Sequence, residues 1–154
     1  MDNIFNKIIK GKTVLLGVGN ILKGDDAFGP RLAEILAGEG HLICIDAGSA
    51  PENYLGKIAR EKPDTVIIAD AVHMDAAPGT YDILHKDEIV RSGFTTHDLS
   101  PVMAIEYLEQ ETKADIYMLA VQPGNVAFGE EMSDSVKKAL GEIVAAIKKV
   151  TSEQ

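Results

Sequence analysis

The feature that most constrains the fold is an apolar run that leads directly into two glycines and then two aspartates. Residues 13–16 read Thr-Val-Leu-Leu, Gly17 and Gly19 follow, and Asp25 and Asp26 stand just before the next helical pattern. An apolar run rich in β-branched residues is typical of a buried strand, and glycine lets the backbone turn sharply after it. We therefore expect the two carboxylates at the carboxyl end of the first strand, where ligands bind in open α/β sheets.

The same stretch has two other interpretations. A dinucleotide-binding turn would carry a third glycine at position 22, where this chain has Leu22, and two aspartates would repel a pyrophosphate. An aspartate can also cap the helix that follows, but Asp25 and Asp26 cannot both do so equally well. One of the two carboxylates is thus a candidate for chemistry.

Strand-like and helical patterns alternate along the rest of the chain. The patterns predict strands at 12–18, 42–46, 64–70, 81–84 and 116–121, and helices at 28–37, 51–60, 87–90, 99–109 and 133–149. Too few residues separate strand 81–84 from strand 64–70 for a crossover helix, so we expect it to run antiparallel to that third strand. Residues 1–154 are predicted to form a single domain of the α/β class. Its architecture is a three-layer α/β/α sandwich with a mostly parallel five-stranded sheet and one antiparallel strand.

Buried faces on three helices are predicted from the helical period of 3.6 residues. The first is expected on helix 28–37, the second on helix 99–109 and the third on helix 133–149. The residues of the first face are Phe28, Leu32, Ile35 and Leu36, those of the second are Leu99, Met103 and Tyr107 or Leu108, and those of the third are Val136, Leu140, Ile143, Val144 and Ile147.

Composition excludes several classes of protein. Fifteen basic against 24 acidic residues give a net charge of −9, which argues against binding to nucleic acid. No apolar run approaches the length of a membrane span, and the N-terminus lacks the pattern of a signal peptide. The single cysteine, Cys44, cannot form an internal disulfide and lies in a strand-like run. We expect a cytoplasmic protein that does not insert into a membrane and carries a buried thiol.

Three groups form a candidate metal site: a carboxylate after the first strand, Asp70 at the end of the third, and His97 before a helix. Two carboxylate oxygens and an imidazole nitrogen suit zinc or nickel better than calcium or magnesium. His73, three residues after Asp70, could supply the imidazole in place of His97. Asp70 could also cap a turn and have no role in a metal site.

Four blocks of the sequence together resemble one known family. The blocks are Gly-Val-Gly-Asn-Ile-Leu at 17–22 followed by Asp25-Asp26, Ile-Asp-Ala-Gly-Ser-Ala-Pro-Glu-Asn at 45–53, Ile-Ile-Ala-Asp-Ala at 67–71, and Thr-Thr-His at 95–97. In this order and spacing, over residues 12–149, they are similar to the [NiFe]-hydrogenase maturation endopeptidases. The resemblance is strongest to the branch that processes the large subunit of hydrogenase 3.

This resemblance implies an aspartyl-type endopeptidase that removes a C-terminal extension from a nickel-loaded hydrogenase large-subunit precursor. It assigns Asp26, Asp70 and His97 as the catalytic and metal-binding residues, with nickel presented by the substrate and zinc or cadmium able to substitute in vitro. The chain departs from the family at Ala27, where many relatives have glycine, and at Asp26, where another branch has glutamate. Two alternatives remain: a nucleotide- or metal-binding α/β module without protease activity, and a hydrolase with a permanent metal of its own.

Overall fold

The structure is a computed structural model that describes residues 3–94 and 101–154. Its elements in chain order are α1 (Phe5–Ile8), β1 (Thr13–Val18), a 3-10 turn (Gly24–Ala27), α2 (Phe28–Leu36), β2 (Ile43–Gly48), a second 3-10 turn (Pro51–Asn53), α3 (Leu55–Arg60), β3 (Thr65–Ala71), β4 (Tyr81–Leu84), α4 (Lys86–Ser92), α5 (Pro101–Glu111), β5 (Asp115–Val121) and α6 (Asp134–Ser152).

The five strands form one sheet in the order β2-β1-β3-β5-β4. All neighbouring strands are parallel except β4, which is antiparallel to β5. The predicted fold class is therefore confirmed. The predicted direction of β4 is also confirmed, since it runs antiparallel to β3, but its hydrogen-bonded neighbour is β5 and not β3. The reason is that β5 pairs with β3 along the whole length of that strand, from Thr65 to Ala71, so the edge of β3 is already occupied.

Helices cover both faces of the sheet, and alternate residues of each strand point to opposite faces. Leu15 and Ile67 pack with α1, α2 and α6, whereas their neighbours Leu16 and Ile68 pack with α3, α4 and α5. None of the described helices combines the length and the hydropathy that crossing a bilayer requires.

The predicted inward face of α6 is confirmed by the burial of Val136, Ile143 and Ile147, but the other two helix faces needed correction. Ile35 of α2 is 42% exposed, and Met103 and Tyr107 of α5 are 62% and 38% exposed. Of the predicted alternatives, helix α5 buries Leu108, together with Ala104 and Ile105, while Leu99 lies outside the described residues. The sequence offers two apolar stripes about one position apart, and α5 buries the one that contains the small residue Ala104, which allows a close approach to the sheet.

Two glycines bring α2 into direct backbone contact with the sheet. A Cβ atom on Gly29, at the start of α2, would collide with the carbonyl oxygens of Val18 in β1 and Ala69 in β3. A Cβ atom on Gly17 would in turn collide with the carbonyl oxygen of Gly29. The absence of these two side chains places the residues just before α2 against the ends of β1 and β3.

Substitution of Gly29 by alanine tests this contact. We expect Gly29→Ala to lower the free energy of unfolding by at least about 1–3 kcal/mol, because backbone atoms must move to admit one methyl group. Gly141→Ala is the matched control, since a Cβ atom at this position of α6 meets nothing within 4 Å. Alanine there should stabilise the helix by about 0.5–1 kcal/mol. Urea unfolding measures both, and equal stability of the two variants would contradict the close contact.

Candidate functional site

The 3-10 turn Gly24–Ala27 holds Asp26 at the carboxyl edge of the sheet. The turn follows Gly19, which has φ +146° and whose Cβ atom would collide with the carbonyl oxygen of Asp26. The backbone N–H of Asn20 donates a hydrogen bond of 2.8 Å to Oδ2 of Asp26, and Asp26 is only 2% exposed. Because this amide of the glycine turn already donates to a carboxylate, it is not available to cradle a phosphate. The nucleotide-binding interpretation loses its main support.

Asp70 lies at the same edge of the sheet, next to the last residue of β3. It is also 2% exposed. Strand alternation places its side chain on the α3–α5 side, since Ile68 and Val72 belong to that core. Residues of the 3-10 turn and of β3 approach within 8 Å of each other, measured between Cα atoms. Two buried carboxylates thus belong to neighbouring elements at the end of the sheet where ligands bind in this class of fold.

The two candidate histidines differ in what the structure describes. His97, the predicted third ligand, lies outside the described residues. Helix α5 begins shortly after it, at Pro101, and leads at its other end into the start of β5, so its N-terminal end points toward the carboxyl edge. His73 is exposed and follows β3 at the same edge.

The other two histidines lie at the opposite, amino edge of the sheet. His41 precedes β2, and His85 follows β4, which runs antiparallel to the other strands. The His85 ring packs at an angle against Tyr117, with 5.2 Å between the ring centroids. Neither position gives access to Asp26 or Asp70.

Among residues 3–94 and 101–154, no three His, Cys, Asp or Glu side chains are grouped closely enough to hold a metal ion. Asp26 and Asp70 can supply two carboxylate ligands, and the predicted imidazole belongs to the segment 95–100. A site with the predicted ligand set therefore depends on that segment.

Asp25 has a structural role that sequence reasoning missed. Its side chain is 0% exposed and accepts hydrogen bonds from the backbone N–H groups of Gly124, Asn125 and Ser133 at 2.7, 3.0 and 2.7 Å, and from the Ser133 hydroxyl at 2.9 Å. The α2 N-cap position is Ala27, which makes no side-chain capping bond. Asp25 therefore fastens the β5–α6 loop to the 3-10 turn. No local pattern could predict this, because its partners lie about 100 residues away.

A second buried polar side chain braces the same edge. Gln122, 8% exposed, follows β5 and accepts a hydrogen bond of 2.6 Å from the backbone N–H of Met74 at its Oε1 atom. Its backbone N–H donates to Thr80, and its carbonyl accepts from Gly79. The loop after β3 is thereby tied to the end of β5.

The lone cysteine is a poor nucleophile. Cys44 lies in β2 and packs against the core formed with α1, α2 and α6. Burial raises the pKa of its thiol to about 11, so the thiol is almost fully protonated at neutral pH. The described residues therefore provide carboxylates, and not a thiolate, for chemistry at this edge.

Comparison with known sequences gives consistent matches. A family model described as hydrogenase maturation protease (HycI) matches residues 29–150. The hydrogenase 3 maturation protease of Escherichia coli K12 is 39% identical over 133 residues, which cover 82% of this chain and 83% of that protein. A putative hydrogenase maturation protease of Methanocaldococcus jannaschii is 32% identical over 152 residues, covering 90% of each.

Solved structures agree with these matches. The crystal structure of the [NiFe] hydrogenase maturation protease HycI from Thermococcus kodakarensis superposes with a TM-score of 0.88 at 30% identity, covering 97% of this chain and 99% of that one. A crystal structure of the hydrogenase 3 maturation protease gives a TM-score of 0.78 at 35% identity, covering 88% of each chain.

Replacement of Asp25 tests its role in bracing the site. We expect Asp25→Asn to lower the free energy of unfolding by about 3–5 kcal/mol, because an amide group cannot accept all four hydrogen bonds and one of its N–H groups faces another donor. Ser133→Ala removes only the hydroxyl donor and should cost about 1 kcal/mol. Urea denaturation measures both variants. A smaller loss for Asp25→Asn than for Ser133→Ala would refute the assignment.

Proposed function

Since the chain belongs to the hydrogenase maturation protease family and is a peptidase, we propose that its substrate is the large-subunit precursor of a [NiFe]-hydrogenase. It removes a C-terminal extension from this precursor in the cytoplasm after nickel has been inserted. The observation that carries the proposal is the pair of buried aspartates, Asp26 and Asp70, on adjacent elements at the carboxyl edge of a chain with this family membership.

We propose that Asp26, Asp70 and His97 together contact the nickel that the precursor presents. The donor set suits a borderline ion such as nickel, because it combines two carboxylate oxygens with one imidazole nitrogen. Burial favours the interaction, since a carboxylate that is 2% exposed attracts a cation in a medium of lower effective dielectric than water. A shared ion adds affinity only for the nickel-loaded precursor, so recognition of the substrate also checks that nickel is present.

The chain's own residues have the task of holding these groups in place. The amide of Asn20 orients the Asp26 carboxylate through its bond to Oδ2, and the pairing of Asp70 with Ala120 of β5 holds the backbone of Asp70. The thiol of Cys44 is protonated and lies in β2, so direct attack by water on the peptide carbonyl is the proposed hydrolytic route. When present, nickel would polarise that carbonyl or the attacking water.

Variants of the three residues test the site. Asp26→Asn, Asp70→Asn and His97→Ala should each reduce kcat/KM for cleavage by about 1000-fold or more, because each removes a group that acts in one unit with the others. Mass spectrometry of the nickel-loaded precursor records the loss of the C-terminal extension, and circular dichroism verifies that each variant is folded. Wild-type cleavage by Asp70→Asn would remove that residue from the mechanism.

Two controls accompany this experiment. Asp82→Asn changes an exposed aspartate of β4. Among the contacts described, its side chain only accepts a hydrogen bond from the backbone N–H of Ile83, so this variant should cleave the precursor at the wild-type rate. Nickel-free precursor should remain intact with the wild-type protein. Its efficient processing would contradict the recognition of inserted nickel.

A further inference from the structure

Two loops at the carboxyl edge present large apolar side chains to solvent. Ile21 and Leu22 lie between β1 and the 3-10 turn and are 56% and 55% exposed, and Phe128 lies between β5 and α6 and is 73% exposed. We call these three residues the apolar lip. Phe5 and Phe28, in contrast, are buried almost completely. Grouped exposure of large apolar side chains is typical of a binding surface.

The lip has a fixed backbone. The N–H of Gly129 donates to the carbonyl oxygen of Leu22 at 2.7 Å, and the N–H of Gly24 donates to the carbonyl oxygen of Glu130 at 3.1 Å. The buried Asp25 carboxylate joins the same two loops through its four hydrogen bonds. A ligand of the lip therefore binds to loops that are already ordered, which reduces the entropy lost on binding.

The lip adjoins the candidate site through Asn20. The backbone N–H of Asn20 donates to Asp26, and its side-chain Oδ1 accepts a hydrogen bond of 2.9 Å from the backbone N–H of Leu22. Since Leu22 is only two residues beyond Asn20, its amide lies within about 10 Å of the Asp26 carboxylate. A displacement of the Leu22 amide would therefore move Asn20 and, through it, the Asp26 carboxylate.

We propose that the apolar lip binds an apolar, extended segment of the substrate close to the scissile bond. This inference rests on the proposed function, which places the scissile bond at Asp26 and Asp70. An extended chain advances about 3.3 Å per residue, so substrate residues within about three positions of the scissile bond reach the lip. The lip is thus the part of the enzyme that selects the sequence around the cleavage position.

A cavity with a mixed polar and apolar lining lies beside the lip. Its volume is about 420 Å³, and Ile21 contributes to its lining. Charges around it balance, with two basic and two acidic side chains, so net charge does not select the ligand there. The further lining residues that carry this argument are Arg31, Lys137, Glu130, Glu131, Met132 and Leu140.

Steady-state kinetics with nickel-loaded precursor tests the lip. The double variant Leu22→Ser with Phe128→Ser should raise KM about tenfold or more with kcat within twofold of wild type, because apolar area no longer leaves water on binding. The melting temperature should not fall, since both side chains are exposed. Val90→Ser, which changes a 62%-exposed residue of α4, is the matched control and should leave KM unchanged.

A second arm identifies what the lip contacts. Serine substitution of the apolar precursor residues next to the scissile bond should raise KM for the wild-type enzyme but should have little further effect on the double variant. If the wild type cleaves the precursor and the double variant has the same KM, the proposal for the lip is overturned and the proposed function stands. A wild-type dimer that becomes monomeric in the double variant, by light scattering, assigns the lip to a second copy and also overturns it. Failure of the wild type to cleave the precursor instead overturns the proposed function, and the lip with it.

Discussion

The backbone contact between α2 and the sheet is the constraint on which the rest of the site depends. Gly17 and Gly29 leave no side chain between the start of α2 and the ends of β1 and β3. The residues that precede α2 are therefore held against β3, and Asp26 is among them. A larger residue at either glycine would lift the 3-10 turn, and with it Asp26, away from the strand that carries Asp70.

Asp25 and Asp26 are adjacent in sequence and nearly equal in burial, yet they face different surroundings. Asp25 is surrounded by four donors from the β5–α6 loop, which use its carboxylate as a structural anchor. Asp26 turns toward the glycine turn and accepts the amide of Asn20. A single 3-10 turn thus joins a structural carboxylate to the candidate functional one, so that bracing the loop also positions the site.

The sequence predicts the sheet well because its signal is local. Buried strands such as 64–70 and 116–121 read as apolar runs, and the structure has them as Thr65–Ala71 and Asp115–Val121. Features set by distant partners were not predictable: the pairing of β4 with β5, and the clamp made by Asp25. The inward face of α5 was also misjudged, because local periodicity fits Met103 almost as well as Ala104. The location of Asp26 and Asp70 at one edge followed from where their strands end, whereas His97 stays a prediction, since the structure does not describe it.

The central claim is that Asp26, Asp70 and His97 act on one ion. Calorimetric titration of the full chain with Ni²⁺ tests it most directly, because it reports binding without the precursor and without turnover. We expect one ion to bind per chain. Its affinity should fall at least about tenfold in each of Asp26→Asn, Asp70→Asn and His97→Ala. In the triple variant the affinity should fall by less than the product of the three single effects. Binding that is unchanged in any one of the single variants would contradict the claim.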